Sequence, residues 1–301
     1  MMTISEKPSV PARVTVGIPA YNGARTLRRA VESVLCQTHG PCLVHISDDA
    51  STDATAEVGR ALAAEYPNVT YTRQPTNLNH HGNFRFVLQQ AQSAYFMWLA
   101  DDDYLEPTYV ERALAVLEAD PTVVTCVSRV RFVRPDGATR LALGTYPLMA
   151  DRVTNIARYL SNPNDNSRLF GLHRIGPLRK VFPKEDFLIS YDWATMAGTL
   201  MHGKHAEIPD VLLIRDETPF SAYLDMIREH AGSPLARWFP ALRMTKYMMQ
   251  HYDIPLQIPI LKAILGINLL MHIEYMRAIH PRYRPIIIFL ERNIIWRLRT
   301  L

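Results

Sequence analysis

The sequence is short of several features that define large protein classes. It contains three cysteines in 301 residues, Cys36, Cys42 and Cys126, and they form no CxxC pair. This count excludes a disulfide-stapled fold and disfavours a zinc site, so we expect free thiols in a reducing cytoplasm. Neither a GxGxxG fingerprint nor a GxxxxGK[ST] phosphate loop occurs. Their absence disfavours a nicotinamide dehydrogenase and a P-loop NTPase.

Long apolar runs and a strong charge of one sign are also missing. The chain has no apolar run before Val14, which disfavours a signal peptide. The best candidate span, residues 254–271, is interrupted by Gln257, Lys262 and Asn268, so we expect no transmembrane helix. The net charge of +4 is too small to indicate a partner such as nucleic acid, and we expect none.

The size and composition indicate a globular protein with a substantial core. Of the 301 residues, 48% are apolar and 21% are charged. A chain of this length buries roughly three quarters of its unfolded surface on folding. We expect one main domain over residues 1–220 and a helical C-terminal region over residues 221–301.

Strand and helix patterns alternate over the first 130 residues. Short apolar or β-branched runs predict strands at 14–19, 43–47, 69–72 and 95–99. Apolar residues at helical spacing predict helices near 27–35, 58–62, 84–91 and 107–117. Repeated β-α-β units imply an α/β protein whose mainly parallel, Rossmann-like sheet is flanked by helices. From 130 to 220 the pattern is irregular, with a helix predicted at 191–202 and short strands at 206–208 and 211–214.

Three polar clusters follow predicted strands, at 19–23, 48–53 and 101–103. In a parallel sheet the ligand crevice lies beyond the carboxyl ends of the strands. We therefore expect the three clusters to meet in one pocket, although they are dispersed in sequence.

The third cluster is an acidic triplet, Asp101, Asp102 and Asp103. Adjacent carboxylates repel each other, and a divalent cation such as Mg²⁺ or Mn²⁺ removes that conflict by bridging them to substrate phosphates. The alternative is a solvated acidic turn before the next helix.

The other two clusters suit a nucleotide. A carboxylate of the Asp48-Asp49 pair could accept hydrogen bonds from a ribose hydroxyl or a pyrimidine ring N–H, or the two residues could form only a turn that caps the following helix. Tyr21 could stack on a flat base, and Gly23 permits a tight turn.

Four ordered segments together resemble glycosyltransferase family 2, which has the GT-A fold. They are VTVGIPAYNGARTLRRAVESVLCQT, VHISDDASTDAT, NLNHHGNFRFVLQQAQ and YFMWLADDDYLEP, and the resemblance covers roughly residues 13–220. The resemblance implies that the acidic triplet is a DXD motif for the metal and the donor diphosphate. A common family Asp is replaced here by Ala100.

The resemblance also assigns residues of this chain to roles. Five are implied to bind the donor nucleotide: Pro19, Tyr21, Asn22, Asp49 and Asp101. Two are implied metal ligands for Mn²⁺ or Mg²⁺, Asp102 and Asp103. The family's catalytic base falls on Asp192, with Glu185 and Asp186 as competitors and a helix N-cap as the alternative role.

Other basic side chains fall near the expected pocket. They are Arg168, His173, Arg174 and Arg215 in the later segment, and His80 and His81 after the third strand. Guanidinium groups suit diphosphate oxygens, whereas the alternative for each is an ordinary exposed position.

The C-terminal region combines apolar runs with basic residues. The arginines are Arg277, Arg282, Arg284, Arg292, Arg297 and Arg299, opposed by Glu274 and Glu291. With Trp296 and Tyr275 or Tyr283 near the interface level, this pattern suits an amphipathic element on an anionic membrane, which a lipid-linked acceptor would explain. A packed helical subdomain or a homodimer interface is the alternative.

The resemblance implies an inverting, metal-dependent transfer of a sugar from a nucleotide-diphosphate sugar to an acceptor hydroxyl. We expect a cytoplasmic or peripheral inner-membrane enzyme of bacterial polysaccharide or glycolipid assembly, with a carbohydrate or lipid-linked acceptor. The alternatives are a sugar-nucleotide nucleotidyltransferase and a catalytically silent nucleotide-binding module.

Overall fold

The computed structural model describes residues 12–185, 188–217 and 233–279. Its first half alternates strands and helices where the sequence predicts them. The elements are β1 Val14–Ala20, α1 Leu27–Leu35, β2 Leu43–Asp48, α2 Thr55–Glu65, β3 Val69–Arg73, α3 Asn79–Gln90, β4 Tyr95–Trp98, β5 Tyr104–Leu105 and α4 Tyr109–Ala119.

The segment with the irregular pattern is also folded into regular elements. They are β6 Val123–Val133, β7 Thr139–Leu141, α5 Arg152–Ser161, a 3₁₀ turn Ser167–Phe170, β8 Leu172–Arg174, α6 Ile175–Val181, α7 Tyr191–Thr199 and β9 Lys204–Asp216. After residue 232 come α8 Pro234–Trp238, α9 Leu242–His251 and α10 Ile258–Ile279.

The prediction of two short strands after residue 203 is wrong, because they form one strand, β9. Strand β6 pairs with both parts, Ser128 opposite Ile208 and Arg129 opposite Val211. Pro209 and Asp210 are thus extra residues in the ladder. Proline has no backbone N–H to donate, so the hydrogen-bond ladder is interrupted at this point while the strand continues beyond it.

The strands form one sheet in the order β3-β2-β1-β4-β8-β6-β9-β5, with β7 paired to β6. Strands β3, β2, β1 and β4 are parallel, whereas β8 is antiparallel to β4 and β6. The register sets Ala20 opposite Asp48 and Gly17 opposite Trp98. The loops that follow β1, β2 and β4 therefore leave the sheet at the same edge.

The core lies on both faces of this sheet. Val16, Ile18, Ile46, Phe96 and Trp98 are fully buried, as expected for parallel strands covered by helices on both sides. The indole N–H of Trp98 donates to the carbonyl of Phe84 at 3.0 Å. This bond ties α3 to the central strand and fixes one wall of the site described below.

The C-terminal helices bury apolar side chains in the same cluster as the sheet. Helix α9 contacts α7, and α10 contacts α5. Met244, Met248, Ile260 and Ile267 are buried there. The division of the chain near residue 220 stays a prediction.

One helix among the described residues has the length and apolar character of a membrane span, and it overlaps the best candidate span named from the sequence. It is residues 258–276 of α10, with a mean hydropathy of 1.3 and a third of the window buried. A core helix of a soluble protein has the same properties. Of the two tyrosines predicted to lie near a membrane interface, Tyr275 is on α10 and is buried in this structure. Tyr283, Trp296 and the arginines from Arg282 onward lie outside the described residues.

Candidate active site

A cavity of about 440 Å³ opens at the edge of the sheet where β1, β2 and β4 end. Five residues singled out in the sequence line it: Pro19, Tyr21, Asp49, Asp101 and Asp102. The expected meeting of the three polar clusters therefore occurs. Asn22, Asp103 and Asp192 are not among the lining residues, and each is held by contacts described below.

Asn22 joins the loop after β1 to the loop after β2. Its backbone N–H donates to Ser51 Oγ at 2.9 Å, and its Oδ1 accepts from the backbone N–H of Thr52 at 2.8 Å. Its φ is 54°, in the left-handed region that Asn tolerates better than most residues. Asn22 thus fixes the shape of the pocket rim.

The adjacent carboxylates Asp48 and Asp49 have different surroundings. Asp48 is fully buried and accepts from Ser51 N at 2.8 Å, Tyr71 Oη at 2.7 Å and Arg73 Nη1 at 2.9 Å. Burial opposes its ionisation, but these donors together lower the pKa of Asp48. Asp48 is consequently a structural carboxylate that closes the loop after β2.

Asp49 lines the cavity. Its Oδ1 accepts from the backbone N–H of Leu78 at 2.6 Å, which holds the start of α3 against the loop after β2. Burial is the main reason that the pKa of Asp49 is raised. A ligand that donates a hydrogen bond to this carboxylate would favour its charged form.

Asp101 is held against the turn after β1. Its Oδ2 accepts from the backbone N–H of Tyr21 at 3.1 Å. A Cβ on Gly23 would lie 2.0 Å from the same oxygen, so only glycine allows this approach. Burial, and then the charge of Asp102, raise the pKa of Asp101 to about 7.

Asp103, a predicted metal ligand, already has two protein partners. Arg215 Nε donates to its Oδ2 at 2.8 Å, and the backbone N–H of Asp216 donates to its Oδ1 at 3.2 Å. The side chain is 1% exposed, and burial raises its pKa to about 6 although Arg215 opposes the shift. The triplet is therefore divided, since Asp101 and Asp102 line the cavity and Asp103 anchors an arginine.

Arg215 is the pocket-lining member of the four later basic residues named from the sequence. Its guanidinium carbon lies 3.8 Å from the centre of the Phe170 ring. Within the described part of the chain, its Nη groups have no hydrogen-bond partner. The other three bond to the protein interior: Arg168 to Tyr146 O, His173 to Thr125 Oγ1 and Leu169 O, and Arg174 to Val123 O.

Asp192 lies in the first turn of α7, half-buried beside the cavity. Ser190 is the N-cap residue, so Asp192 does not cap the helix. Asn166 Nδ2 donates to its Oδ2 at 2.9 Å. Burial raises the pKa of Asp192, with the nearby charge of Arg215 opposing that shift. Of the competitors, Glu185 does not line the cavity and Asp186 lies outside the described residues.

His80 links the cavity to α7, whereas His81 is buried behind it. His80 lines the cavity, and its Nδ1 lies 2.7 Å from Tyr191 Oη. The ring of His81 stacks on that of Tyr191 at 4.4 Å. The residue that precedes Asp192 is thus packed against a wall of the cavity.

Sequence reasoning missed several lining residues, among them Asn77, Asn83, Phe170 and Asp216. Asp216 ends strand β9, and the rule that polar residues after a strand approach the ligand crevice could have found it. Phe170 had no such signal, since it lies on an isolated 3₁₀ turn.

The carboxylates suit a divalent cation that is completed by its ligand. Within residues 12–185, 188–217 and 233–279, no group of three His, Cys, Asp or Glu side chains is arranged to hold a metal ion alone. Mg²⁺ in nucleotide sites commonly has one or two carboxylate ligands, and phosphates and waters supply the rest. The raised pKa values of Asp101 and Asp102 fit this donor set, because a cation would favour both charged forms.

A pocket at the carboxyl edge of a mainly parallel sheet is the usual ligand crevice of an α/β protein, and paired carboxylates and an arginine line this one. Solved structures share the fold. Staphylococcus aureus TarS residues 1–349 in complex with UDP-GlcNAc superposes with a TM-score of 0.58 at 15% identity, covering 96% of this chain and 90% of that one. Mannosyltransferase PcManGT from Pyrobaculum calidifontis, in complex with GDP-Man and Mn²⁺, gives 0.56 at 17% identity, covering 91% and 77%.

The family model for glycosyl transferase family 2 matches residues 15–182. The chain belongs to glycosyltransferase family 2; it has the GT-A fold and is a glycosyltransferase. This favours sugar transfer over the nucleotidyltransferase alternative.

Curated relatives match over less than half of the chain. A chondroitin synthase from Pasteurella multocida is 37% identical over 125 residues, which is 42% of this chain and 13% of the synthase. An uncharacterised Mycobacterium tuberculosis protein is 36% identical over 123 residues, covering 40% of this chain and 35% of that protein. The match thus spans about a third of the mycobacterial relative and much less of the synthase.

Proposed function

We propose that the protein transfers a sugar from a nucleotide-diphosphate sugar to an acceptor hydroxyl with inversion at the anomeric carbon. The observation that carries this proposal is the cavity itself. It brings Asp49 from the loop after β2 together with Asp101 and Asp102 from the loop after β4, with Asp192 on the helix that packs against its wall.

The proposed donor site is the part of the cavity beside β1 and β2. The donor nucleotide would contact Pro19, Tyr21, Asp49 and Asp101, with Asn22 shaping the rim. Tyr21 is 53% exposed, so its ring is available to stack on a base. Asp49 would accept from a ribose hydroxyl or a base N–H. Solved structures of the two neighbours are complexes with UDP-GlcNAc and GDP-Man, which supports a donor of this chemical class.

The proposed cation is Mn²⁺ or Mg²⁺, with Asp102 as its main protein ligand. Asp101 is the better placed second carboxylate, since Asp103 is paired with Arg215. When bound, the cation stabilises negative charge on the departing diphosphate. The mannosyltransferase neighbour is bound to Mn²⁺, which supports this proposal.

Two side chains would act on opposite sides of the anomeric carbon, Asp192 on the acceptor hydroxyl and Arg215 on the departing diphosphate. Asp192 accepts the proton of the acceptor hydroxyl while that oxygen bonds to the anomeric carbon. The bond from this carbon to the diphosphate oxygen breaks, and its electron pair leaves with the nucleoside diphosphate. Arg215 presents its Nη groups to the phosphate oxygens, because Asp103 and Phe170 hold it in the cavity wall.

Thermal unfolding tests the donor site and the cation together. UDP-GlcNAc and GDP-mannose are added separately, with and without Mn²⁺, and nucleotide release is measured in parallel. A ligand at 100 times its Kd stabilises the folded state by about 2.7 kcal/mol. We expect a Mn²⁺-dependent rise in Tm with one donor, lost in Asp102→Asn and kept in the control Asp136→Asn on the exposed β6–β7 turn. An unchanged shift in Asp102→Asn would contradict the ligand assignment.

We further propose that the acceptor is a carbohydrate or a lipid-linked sugar and that α10 approaches an anionic membrane, in a cytoplasmic enzyme of polysaccharide or glycolipid assembly. Ile258, Leu261 and Leu265 lie on one face of α10 and are exposed. The basic C-terminal sequence adds attraction to anionic lipids.

Flotation with anionic liposomes tests the membrane proposal. We expect the full chain to float, and a Leu261→Glu/Leu265→Glu variant to remain in the soluble fraction. If the protein does not float, and light scattering gives twice the mass of one chain, the exposed face is a homodimer interface.

A further inference from the structure

We infer that Asn166 is a positioning residue that orients the Asp192 carboxylate, and that Tyr159 fixes Asn166 in turn. This inference rests on the proposed role of Asp192 as the base. It adds two residues, on α5 and on the loop before the 3₁₀ turn, that the sequence analysis did not single out.

The contacts form a chain of three side chains. Tyr159 Oη donates to Asn166 Oδ1 at 2.7 Å, and Asn166 Nδ2 donates to Asp192 Oδ2 at 2.9 Å. The ionised carboxylate of Asp192 can only accept, so it decides which end of the amide faces it, and the phenol O–H then donates to the amide oxygen. With Tyr159 donating to the amide oxygen, the amide nitrogen must face the carboxylate; a flipped amide would set two acceptors against each other.

Asn166 is held in place independently of Asp192. It is 2% exposed and Tyr159 is fully buried. The φ of Asn166 is 46°, a left-handed conformation that asparagine adopts more readily than most residues. Its backbone N–H donates to Pro163 O at 3.1 Å. The amide is therefore part of a rigid wall, which is what orientation of a base requires.

The consequence for Asp192 is both geometric and electrostatic. Because Asn166 engages Oδ2, we assign Oδ1 as the oxygen that receives the acceptor proton. The amide also favours the charged carboxylate, against the burial that raises its pKa. The other titratable groups that face Asp192 are Tyr159 on α5, Tyr191 on α7 and Arg215 on β9.

Three variants test the chain of contacts. Asn166→Asp keeps the shape but cannot donate, and Asn166→Gly keeps the left-handed backbone without the amide. Tyr159→Phe removes the donor to the amide oxygen, so the amide is no longer held in one orientation. The matched control is Asn164→Asp, since Asn164 also has a positive φ but bonds to Leu143 O and Asn162 O.

The first measurement needs no substrate. Asp192 is titrated by carboxyl ¹³C NMR in the intact protein, with its signal assigned by loss in Asp192→Asn. We expect the pKa of Asp192 to rise by about one unit in Asn166→Gly and more in Asn166→Asp, and to be unchanged in the control. An unchanged titration in folded Asn166→Gly and Tyr159→Phe overturns the inference.

The second measurement is nucleotide release from the donor that stabilises the protein. We expect kcat to fall at least tenfold in Asn166→Asp, with the acid limb of its pH profile moved upward and the donor KM unchanged. A parallel change in KM without movement of the acid limb would indicate a structural role and overturn the inference. If Asp192→Asn retains full activity, the proposed base is wrong; if it is inactive while folded Asn166 variants are normal, only the positioning role fails.

Discussion

Arg215 Nε donates to Asp103 Oδ2 at 2.8 Å, across 112 residues of sequence. The pair joins the end of β9 to the acidic triplet after β4, and the Arg215 guanidinium stacks on Phe170. Asp103 is buried and Arg215 is 15% exposed at the side chain. The same contact therefore keeps the Asp103 carboxylate out of the cavity, and it places the positively charged Arg215 guanidinium in the cavity wall with Asp102.

The Asp103–Arg215 pair predicts strong energetic coupling. We expect Asp103→Asn and Arg215→Gln each to lower the free energy of unfolding. The double variant should lose less free energy of unfolding than the sum of the losses in the two single variants. A coupling of about 1–3 kcal/mol is typical of directly bonded partners. Urea unfolding of the four proteins at pH 7.5 measures it. Additive losses would show that the two side chains do not interact in solution.

The close approach of Asp101 to Gly23 leads to a prediction about donor binding. In Gly23→Ala the new Cβ would lie 2.0 Å from Asp101 Oδ2, so the carboxylate must move from its bond with Tyr21 N. We expect weaker Mn²⁺-dependent donor binding, by at least tenfold in Kd. Calorimetric titration measures it. The matched control is Gly176→Ala on α6, where a Cβ meets no atom within 4 Å. Equal donor affinity in the two variants would contradict the close approach of Asp101.

Asp192 predicts opposite effects on activity and stability. A positioned base contributes about 10²–10⁴-fold to rate, so Asp192→Asn should lower kcat by that factor. Its folded pKa is raised above the unfolded value, so the stability it contributes is present at low pH and lost as the pH rises through the folded pKa. At neutral pH the Asp192 carboxylate is charged and its burial is unfavourable, whereas an uncharged Asn at this position avoids that unfavourable burial. We expect a Tm equal to or above that of the wild type; a large drop in Tm would indicate a structural role.

The same raised pKa predicts the pH dependence of turnover. A base must be deprotonated, so kcat should fall as the pH is lowered through the pKa of Asp192. Because burial raises that pKa, the acid limb should lie above the ordinary Asp value of about 3.9. Single-turnover rates between pH 4 and 8 locate the limb. A flat profile over this range would leave Asp192 without the proposed role.

The stability that Asp48 contributes should depend on pH in the opposite direction to that of Asp192. Its folded pKa is lowered by donors from Ser51, Tyr71 and Arg73, so its stabilisation is present above the unfolded pKa and lost as the pH falls through the folded pKa. We expect Asp48→Ala to destabilise the fold by about 3 kcal/mol at pH 7, because it leaves buried donors unpaired. The loss should shrink toward pH 3. Urea unfolding at both pH values tests this, with exposed Asp136→Ala as the control.

The strands of the first half were predictable because their signals are local. The runs at 14–19, 43–47, 69–72 and 95–99 match β1 to β4 within one or two residues. Parallel pairing then follows from the helices between them, and with it the gathering of Asp49, Asp101 and Asp102. Strand β9 was harder to predict, since Pro209 interrupts its pattern although the ladder with β6 continues.

The sequence by itself determined the alternation of strands and helices and the shared edge at which its acidic loops end, because apolar periodicity and strand order are sufficient for these. The assignment of Asp192 as the candidate base rests on the resemblance to the family and stays a prediction. Only the tertiary structure decided that Asp103 pairs with Arg215, that Asp48 faces Arg73 while Asp49 faces the cavity, and that Asn166 holds Asp192. Each of these contacts depends on which side chain, distant in sequence, lies within hydrogen-bond distance in the folded protein. Adjacent aspartates look alike in the sequence, so nothing local shows which partner each of them will have.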